Sequence, residues 1–554
     1  MDGGQRHSHL RRSQEPNFNG GAADTAPGGI KRELAARRAA PRGLRHPRYD
    51  AGTLHTVCPE HALNLPVCVR PHNHHNVCQV ICKSPTQEMA WTLRRLKPSR
   101  SPVARAWFSS TSSSSLRTEE TYDCLVIGGG VMGAWAAVMA RKAFGASVLL
   151  ADQFAPAHDH GSSHGDGRIY RLAYTEDIYV DMMLRSLPLW HELQTFAEEP
   201  LLAQTGGINI APIDGGRLDA LGELYSRRGF AHEWLSAGAA NERFPQFRLS
   251  EGQQHALYQP DFGVLFATKC VAAVWRYAEA LGVHTLTPFR ASSLQAEPAA
   301  AGCSDLVTVV GEDGRAVKAR SVVLAPGAWL SPLANALLGL SIPTHVSAET
   351  VCYYAPKPEP PVDHSYRSMP VFIPETSNGL GPFGYYGLPM IDIPGIKCSA
   401  HYCGPSVDPD QRPLAAGGVQ GVTLGRGQGP GVEGDARAEA VVAARVQAVI
   451  DSTSEYITST FPHVEHAPFQ TQTCLYTSTP DHDYILSRTP TNPRVVLAGG
   501  GSGHAFKMGP AIGEGAACLA LGQPPPLDVR RFDVERLLGL QGSALDHEAS
   551  APRR

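Results

Sequence analysis

The stretch TYDCLVIGGGVMGAWAAVMARKAFGASVLLADQ, residues 121–153, leaves the chain around it little choice of fold. An apolar strand over Cys124–Ile127 runs into Gly128, Gly130 and Gly133, spaced G-x-G-x-x-G. A helix follows and ends at Gly145, and a second strand occupies Ser147–Ala151, so the segment predicts a βαβ unit. A side chain at any of the three glycines would block the tight turn, the approach of a pyrophosphate, or the packing of helix on strand. The helix N-terminus offers its N–H groups to phosphates. Asp152, at the end of the second strand, is spaced to accept hydrogen bonds from ribose hydroxyls. The unit predicts dinucleotide binding, and the motif by itself does not separate FAD from NAD.

The 554 residues suffice for two or more domains. A net charge of −3 conceals an asymmetry: residues 1–120 hold 18 Lys and Arg against 9 Asp and Glu, the remainder 31 against 43. An acidic body argues against nucleic acid as a partner. The 12 cysteines are too scattered for a secreted disulfide scaffold, and no secretory signal opens the chain, which points to a reducing compartment. The longest uncharged stretch, 322–345, is broken by Pro326, Pro332 and Pro343 and reads as a strand and a short helix, so no membrane span is predicted.

Residues 1–88 lack periodicity and read as a disordered or non-native extension. Within them HNHHNVCQVIC brings His and Cys together, but the spacing fits no standard zinc finger, and no metal site is predicted. Between Ala90 and Thr118 there is no acidic residue, while six Arg or Lys are interspersed with apolar residues and Ser. That composition, over 89–120, predicts a mitochondrial transit peptide or a basic linker, with Met89 as a candidate initiator. Peroxisomal and cytoplasmic placements are the alternatives, and the final Ala-Pro-Arg-Arg is not an S-K-L-type address.

Further on, KCVAAVWRYAEALG has helical apolar spacing closed by Gly282, and SDLVTVVGEDGRAVKARSVVL reads as a hairpin turning at Glu312-Asp313-Gly314. Residues 417–434 hold eight glycines and predict a surface loop. In GIKCSAHY, residues 395–402, Ile396, Cys398, Ala400 and Tyr402 share one face of a strand, and Lys397, Ser399 and His401 the other. That second face lines a polar cavity or meets bulk water. One thiol, Cys474, stands in TQTCLYTSTPDHDY without a neighbouring Cys; it is a core residue, a metal ligand, a nucleophile or a point of attachment.

The segment DQFAPAHDHGSSHGDGRIYRLAYTED resembles the monomeric sarcosine oxidase family, which includes pipecolate and N-methyltryptophan oxidases. GYYGLPMIDIPGIKCSAHYCG, QTCLYTSTPDHDYIL and VVLAGGGSGHAFKMGPAIGE match in the same order, so the resemblance spans Tyr122 to Leu521. It implies an α+β fold with a discontinuous Rossmann-like FAD-binding domain of the glutathione-reductase type, over 121–195, 263–345 and 470–521. A substrate domain on an antiparallel sheet, over 196–262 and 346–469, is interleaved with it, and 522–554 form a tail.

The resemblance also implies roles. Cys474 matches the cysteine joined to FAD through the flavin 8α-methyl group. Arg171 and Lys507 match the residues that hold the substrate carboxylate, and Lys397 the lysine that promotes reaction with O₂. His401 and Tyr386 match pocket residues, Tyr476 a contact near the flavin, and His164 and Arg168 residues beside its ring. Gly500 and Gly503 fall in the segment that brings N–H groups to the flavin pyrimidine. The implied activity is oxidation of a small secondary or N-methyl amino acid such as sarcosine, L-pipecolate or L-proline, with release of H₂O₂ by a monomer. A dehydrogenase using a mitochondrial acceptor, or a flavin-binding assembly factor, are the other readings. Three positions depart from the family: Gly167, Gly501 and Ala505, the first two expected to widen the pocket or alter flavin contacts.

Overall fold

The βαβ unit forms where its spacing puts it: strand Thr121–Ile127, helix Val131–Phe144 and strand Val148–Ala151, the strands pairing in parallel. Gly145 caps the helix in a left-handed turn (φ 67°) that a residue with a Cβ rarely adopts. This is a computed structural model, and it describes residues 120–215, 218–297, 306–381, 383–410 and 436–539. The expectations for 1–88, for all but the last residue of 89–120, for the glycine-rich 417–434 and for the end of the tail lie outside the described residues.

Two eight-stranded sheets carry the fold. The first has Thr121–Ile127 between Val148–Ala151 and Ala316–Leu324, with His284–Leu286 beyond the former. Val495–Gly499 extends the parallel set beside the end of Ala316–Leu324, and the hairpin Leu306–Gly311/Ala316–Leu324 turns at the predicted Gly314. One face is covered by helices Val131–Phe144, Ala267–Ala280 and Gly509–Ala520; the other buries Leu330, Ala334 and Leu337 of a short helix.

The second sheet runs Gln470–Ser478, His345–Tyr354, Ile396–Ala400, Tyr385–Leu388, Val371–Pro374, Gly207–Pro212, Gln254–Gln259, Glu233–Ser236. It is antiparallel except for one pair, Val371–Pro374 with Gly207–Pro212. Gln470–Ser478, placed above with the FAD-binding segments, pairs here along nine residues with His345–Tyr354. The α+β class follows: a mostly parallel sheet with helices on both faces, joined to a mostly antiparallel one. Among the described residues no helix is long and apolar enough to cross a membrane.

The register sorts the second sheet into two faces. Directly paired residues point to the same side, so Tyr353–Lys397, Lys397–Leu388 and Ser399–Tyr386 share a face with Glu349–Cys474 and Ser347–Tyr476. Cys352, Tyr354, Ile396, Cys398 and Ala400 point the other way and pack under helix Ala436–Thr460 against Val449, Tyr456 and Ile457. The predicted two faces of 396–400 are present, and both are buried, which removes the solvent-facing reading. The strand stops at Ala400. Tyr402, expected on the apolar face, lies in a turn at φ 59° and swings its ring beside Tyr476 and His401.

Candidate active site

A cavity of about 680 Å³ runs from the glycine turn to the polar face of the second sheet. Gly128, Gly130, Asp152, Arg168, Arg171, Tyr386, His401, Cys474, Tyr476, Gly500, Gly503 and Lys507 all line it, so twelve positions drawn from distant parts of the sequence converge. Three expected residues stand off the lining. Gly133 is inside the helix, beneath the turn it was expected to permit. His164 is buried in the preceding loop. Lys397 sits one layer back, behind Gly167.

At the first end, a Cβ on Gly128 would lie 2.3 Å from the carbonyl oxygen of Ala325, and one on Gly133 1.8 Å from that of Gly128. Neither position admits a side chain, as the turn requires. Asp152 accepts the N–H of Gly129 at 2.6 Å on one oxygen and that of Phe154 at 2.8 Å on the other. Each oxygen keeps a second lone pair for a hydroxyl donor. Burial holds this carboxyl above its ordinary range, opposed first by His158, whose Nε2 is 3.8 Å away.

At the other end four cations gather, Lys397 one layer behind the other three. Arg171 donates to the carbonyl of Ala173 at 2.7 Å, and its guanidinium lies over the Tyr174 ring, 4.7 Å from its centroid. Lys507, delivered from the C-terminal part of the chain, donates to the carbonyl of His504 at 2.8 Å and stands 5.3 Å from the same ring. Trp190 fixes the Lys507 backbone by donating to its carbonyl oxygen at 2.8 Å. Arg168 is held by the carbonyls of Gly167 and Ser162 at 3.0 and 2.9 Å. Lys397 is 4% exposed; burial, then the charge of Arg168, pushes its ammonium down to about 7.

The wall between these ends is aromatic. Tyr476 is 3.1 Å from Nδ1 of His401, and the rings of Tyr386, Phe383 and Tyr402 meet that imidazole edge-on. The Tyr402 hydroxyl donates to the carbonyl of Ser502, tying this wall to the glycine-rich segment 499–503. Burial raises the phenols of Tyr386 and Tyr476, so both remain protonated donors at neutral pH. Cys474, 7% exposed, opens onto the cavity from the same face.

Sequence reasoning missed Tyr174, which faces both cations although it lies inside the quoted AYTED. It also missed Glu349, paired across the sheet with Cys474. One oxygen of Glu349 accepts the N–H of Cys403 and Gly404 at 3.0 and 3.1 Å, and the other the Ser347 hydroxyl at 2.6 Å. A buried acid in an apolar strand is the only signal that could have exposed it. Gly167 corrects an expectation. A Cβ there would meet Ile391 at 2.5 Å and Leu388 at 3.0 Å, so those side chains fill the space and the pocket is no wider. At Gly501 a Cβ would meet Ala505 at 3.1 Å and Met132 at 3.3 Å, so there too the neighbours have closed in.

Comparison with known proteins gives the family. The model of the family "FAD dependent oxidoreductase" matches residues 123–519. The chain is 30% identical over 421 residues to monomeric sarcosine oxidase of Bacillus sp. (strain B-0618), covering 75% of this chain and 96% of that one. It is 28% identical over 426 residues to mouse peroxisomal sarcosine oxidase, covering 76% and 98%. Among solved structures, glycine oxidase from Geobacillus kaustophilus superposes with a TM-score of 0.58 at 19% identity, over 76% of this chain and all of that one, which attests the fold.

Proposed function

The chain belongs to the FAD dependent oxidoreductase family, among the sarcosine and N-methyltryptophan oxidases, and from that premise we propose that it oxidises small secondary or N-methyl amino acids at the expense of O₂. The observation that carries the reading is the convergence of Arg171 and Lys507 on one ring at the inner end of the cavity. Two cations there suit a carboxylate, Arg as a planar fork and Lys as a point charge. Together they hold an amino acid by its one invariant handle and trade its rotational freedom for alignment.

FAD, when bound, would supply the two-electron chemistry that links oxidation of the substrate carbon next to nitrogen to reduction of O₂ to H₂O₂. The glycine turn and Asp152 would hold its pyrophosphate and ribose, and Cys474 would fasten it through a thioether. Tyr386, His401 and Tyr476 pack the substrate against the reacting face and keep water from it. Its nitrogen enters neutral, because only a free lone pair supports loss of hydride. Lys397, one layer back, stabilises negative charge that develops as O₂ is reduced. Water then hydrolyses the released imine, so that sarcosine gives glycine and formaldehyde.

For the compartment we favour the peroxisome over the mitochondrion: two mammalian relatives are named for it, and the transit-like segment has no such support. The test of the activity is direct. Purified protein is given sarcosine, L-pipecolate and L-proline in turn while H₂O₂ and flavin absorbance are followed. Peroxide equal to substrate consumed is expected with at least one; no peroxide and no bleaching with any of them overturns the reading.

A further inference from the structure

The ammonium of Lys507 is drawn to one carbonyl oxygen, that of His504, at 2.8 Å. That oxygen belongs to a residue whose side chain is fastened on both sides. His504 Nε2 lies 3.2 Å from the carbonyl oxygen of His482, and Nδ1 lies 2.7 Å from the hydroxyl of Tyr484. A carbonyl oxygen only accepts, so in the neutral imidazole Nε2 carries the proton and Nδ1 takes that of the hydroxyl. The ring then has one orientation. His482 presents its carbonyl from φ 59°, a left-handed conformation that residues with a Cβ rarely adopt. Tyr484 is fully buried, and Phe532 backs its ring with 5.4 Å between centroids. The same imidazole also reaches toward the other cation. The Tyr174 hydroxyl is 3.5 Å from Nδ1, and Arg171 lies over the Tyr174 ring. Tyr174 and His504 line the cavity, whereas Tyr484 stands behind them.

We propose that His504 and Tyr484 are positioning residues of the carboxylate clamp: Tyr484 locks the His504 imidazole, and the locked residue aims its carbonyl so that the Lys507 ammonium stands over the same ring as the Arg171 guanidinium. The inference rests on the reading, given above, of Arg171 and Lys507 as the groups that hold a substrate carboxylate. A lysine ammonium is a point charge on a flexible stem, and any nearby acceptor can draw it aside. Fixing its acceptor fixes the charge before the substrate arrives, so less freedom is lost on binding. A buried histidine that only fills space would serve the fold without touching the affinity for a carboxylate. One measurement separates the two roles.

The experiment uses the holoprotein and two ligands of one shape, cyclopentanecarboxylate and its neutral amide, neither of which has an α-amine to oxidise. Kd is read by calorimetry, so binding is measured whether or not turnover occurs. The carboxylate is expected to bind at least about 100-fold tighter, the scale of two charge-assisted hydrogen bonds. Tyr484→Phe keeps the ring and removes the hydroxyl. It should cut that preference about tenfold while the amide binds as before. His504→Leu should cut it as far or further, and His504→Asn, whose amide oxygen can take the Tyr484 hydroxyl, should recover part of the loss. Thermal unfolding and flavin absorbance report the fold of each variant separately. A preference unmoved in Tyr484→Phe, an equal weakening of both ligands, or no recovery in His504→Asn overturns the positioning role, whatever the change in Tm. If His504→Leu does not fold, Tyr484→Phe and His504→Asn decide by themselves. No preference for the carboxylate in the unaltered protein sinks the clamp and this inference together; a preference that is present but unmoved sinks this inference alone.

Discussion

The ammonium of Lys397 donates to the carbonyl oxygen of Gly167 at 2.9 Å, which sets a buried charge one residue's thickness behind the cavity wall. Its pKa of about 7 makes the charge conditional. The reaction with O₂ should therefore slow as pH rises through about 7, since only the protonated form offers a field. Lys397→Met should slow that half-reaction by about 10²-fold or more, with reduction by substrate much less affected; anaerobic and aerobic stopped-flow traces separate the two.

The same lysine has a thermodynamic signature. Its folded pKa lies near 7, below the ordinary 10.5, so between these values the unfolded chain binds the extra proton. Stability should then rise with pH across that window, the desolvation cost being fully present below about 7. Lys397→Met should raise Tm at pH 6 and lose most of that gain by pH 10. A variant less stable than the parent at pH 6 would contradict this.

Gly167 packs where a Ser or Thr would collide with Ile391 and Leu388. Gly167→Ser should cost about 1–3 kcal/mol by overpacking. Ile391→Ala in the same chain should recover part of that loss, measured by denaturant unfolding.

Cys474 is the one cysteine whose side chain opens onto the cavity among the described residues. Cys474→Ser should yield a protein whose yellow colour washes away on acid precipitation, whereas the parent retains it. Mass spectrometry of the peptide around Cys474 should show a flavin adduct only in the parent.

Arg171→Met and Lys507→Met should each raise KM by about 10–100-fold, the range for one charged hydrogen bond. Steady-state kinetics with the best substrate provide the measurement. The double variant should lose more than either, with less than additive effect because both face one ring.

Glu349→Leu should destabilise the fold, because it removes the acceptor of the buried Cys403 N–H and of the part-buried Gly404 N–H. A loss of about 1–3 kcal/mol per stranded group is expected. Glu349→Gln, which keeps one acceptor, should fall between, and thermal unfolding ranks the three.

What the sequence made legible was local. The glycine turn and the 306–324 hairpin depend on contacts within a few dozen residues, and each formed as read. The alternation of 396–400 was visible too, but its end was not, because the turn at Tyr402 is followed by Cys403 and Gly404, whose N–H groups are held by Glu349 in a strand some fifty residues earlier. The resemblance supplied most of the positions that line the cavity, and geometry then set Gly133, His164 and Lys397 off that lining. Glu349 stayed hidden because a single acid in a strand of uncharged residues looks like noise until its register is known.

Much of the cavity's inner wall is a sheet face, and that has a consequence for how such an enzyme changes over time. Side chains on paired strands stand like pegs on a board, at intervals fixed by the backbone lattice. Swapping one peg, as at Tyr476 or Tyr386, leaves the holes beside it where they were. A lineage can therefore retool what this board grips one residue at a time, without ever dismantling the frame.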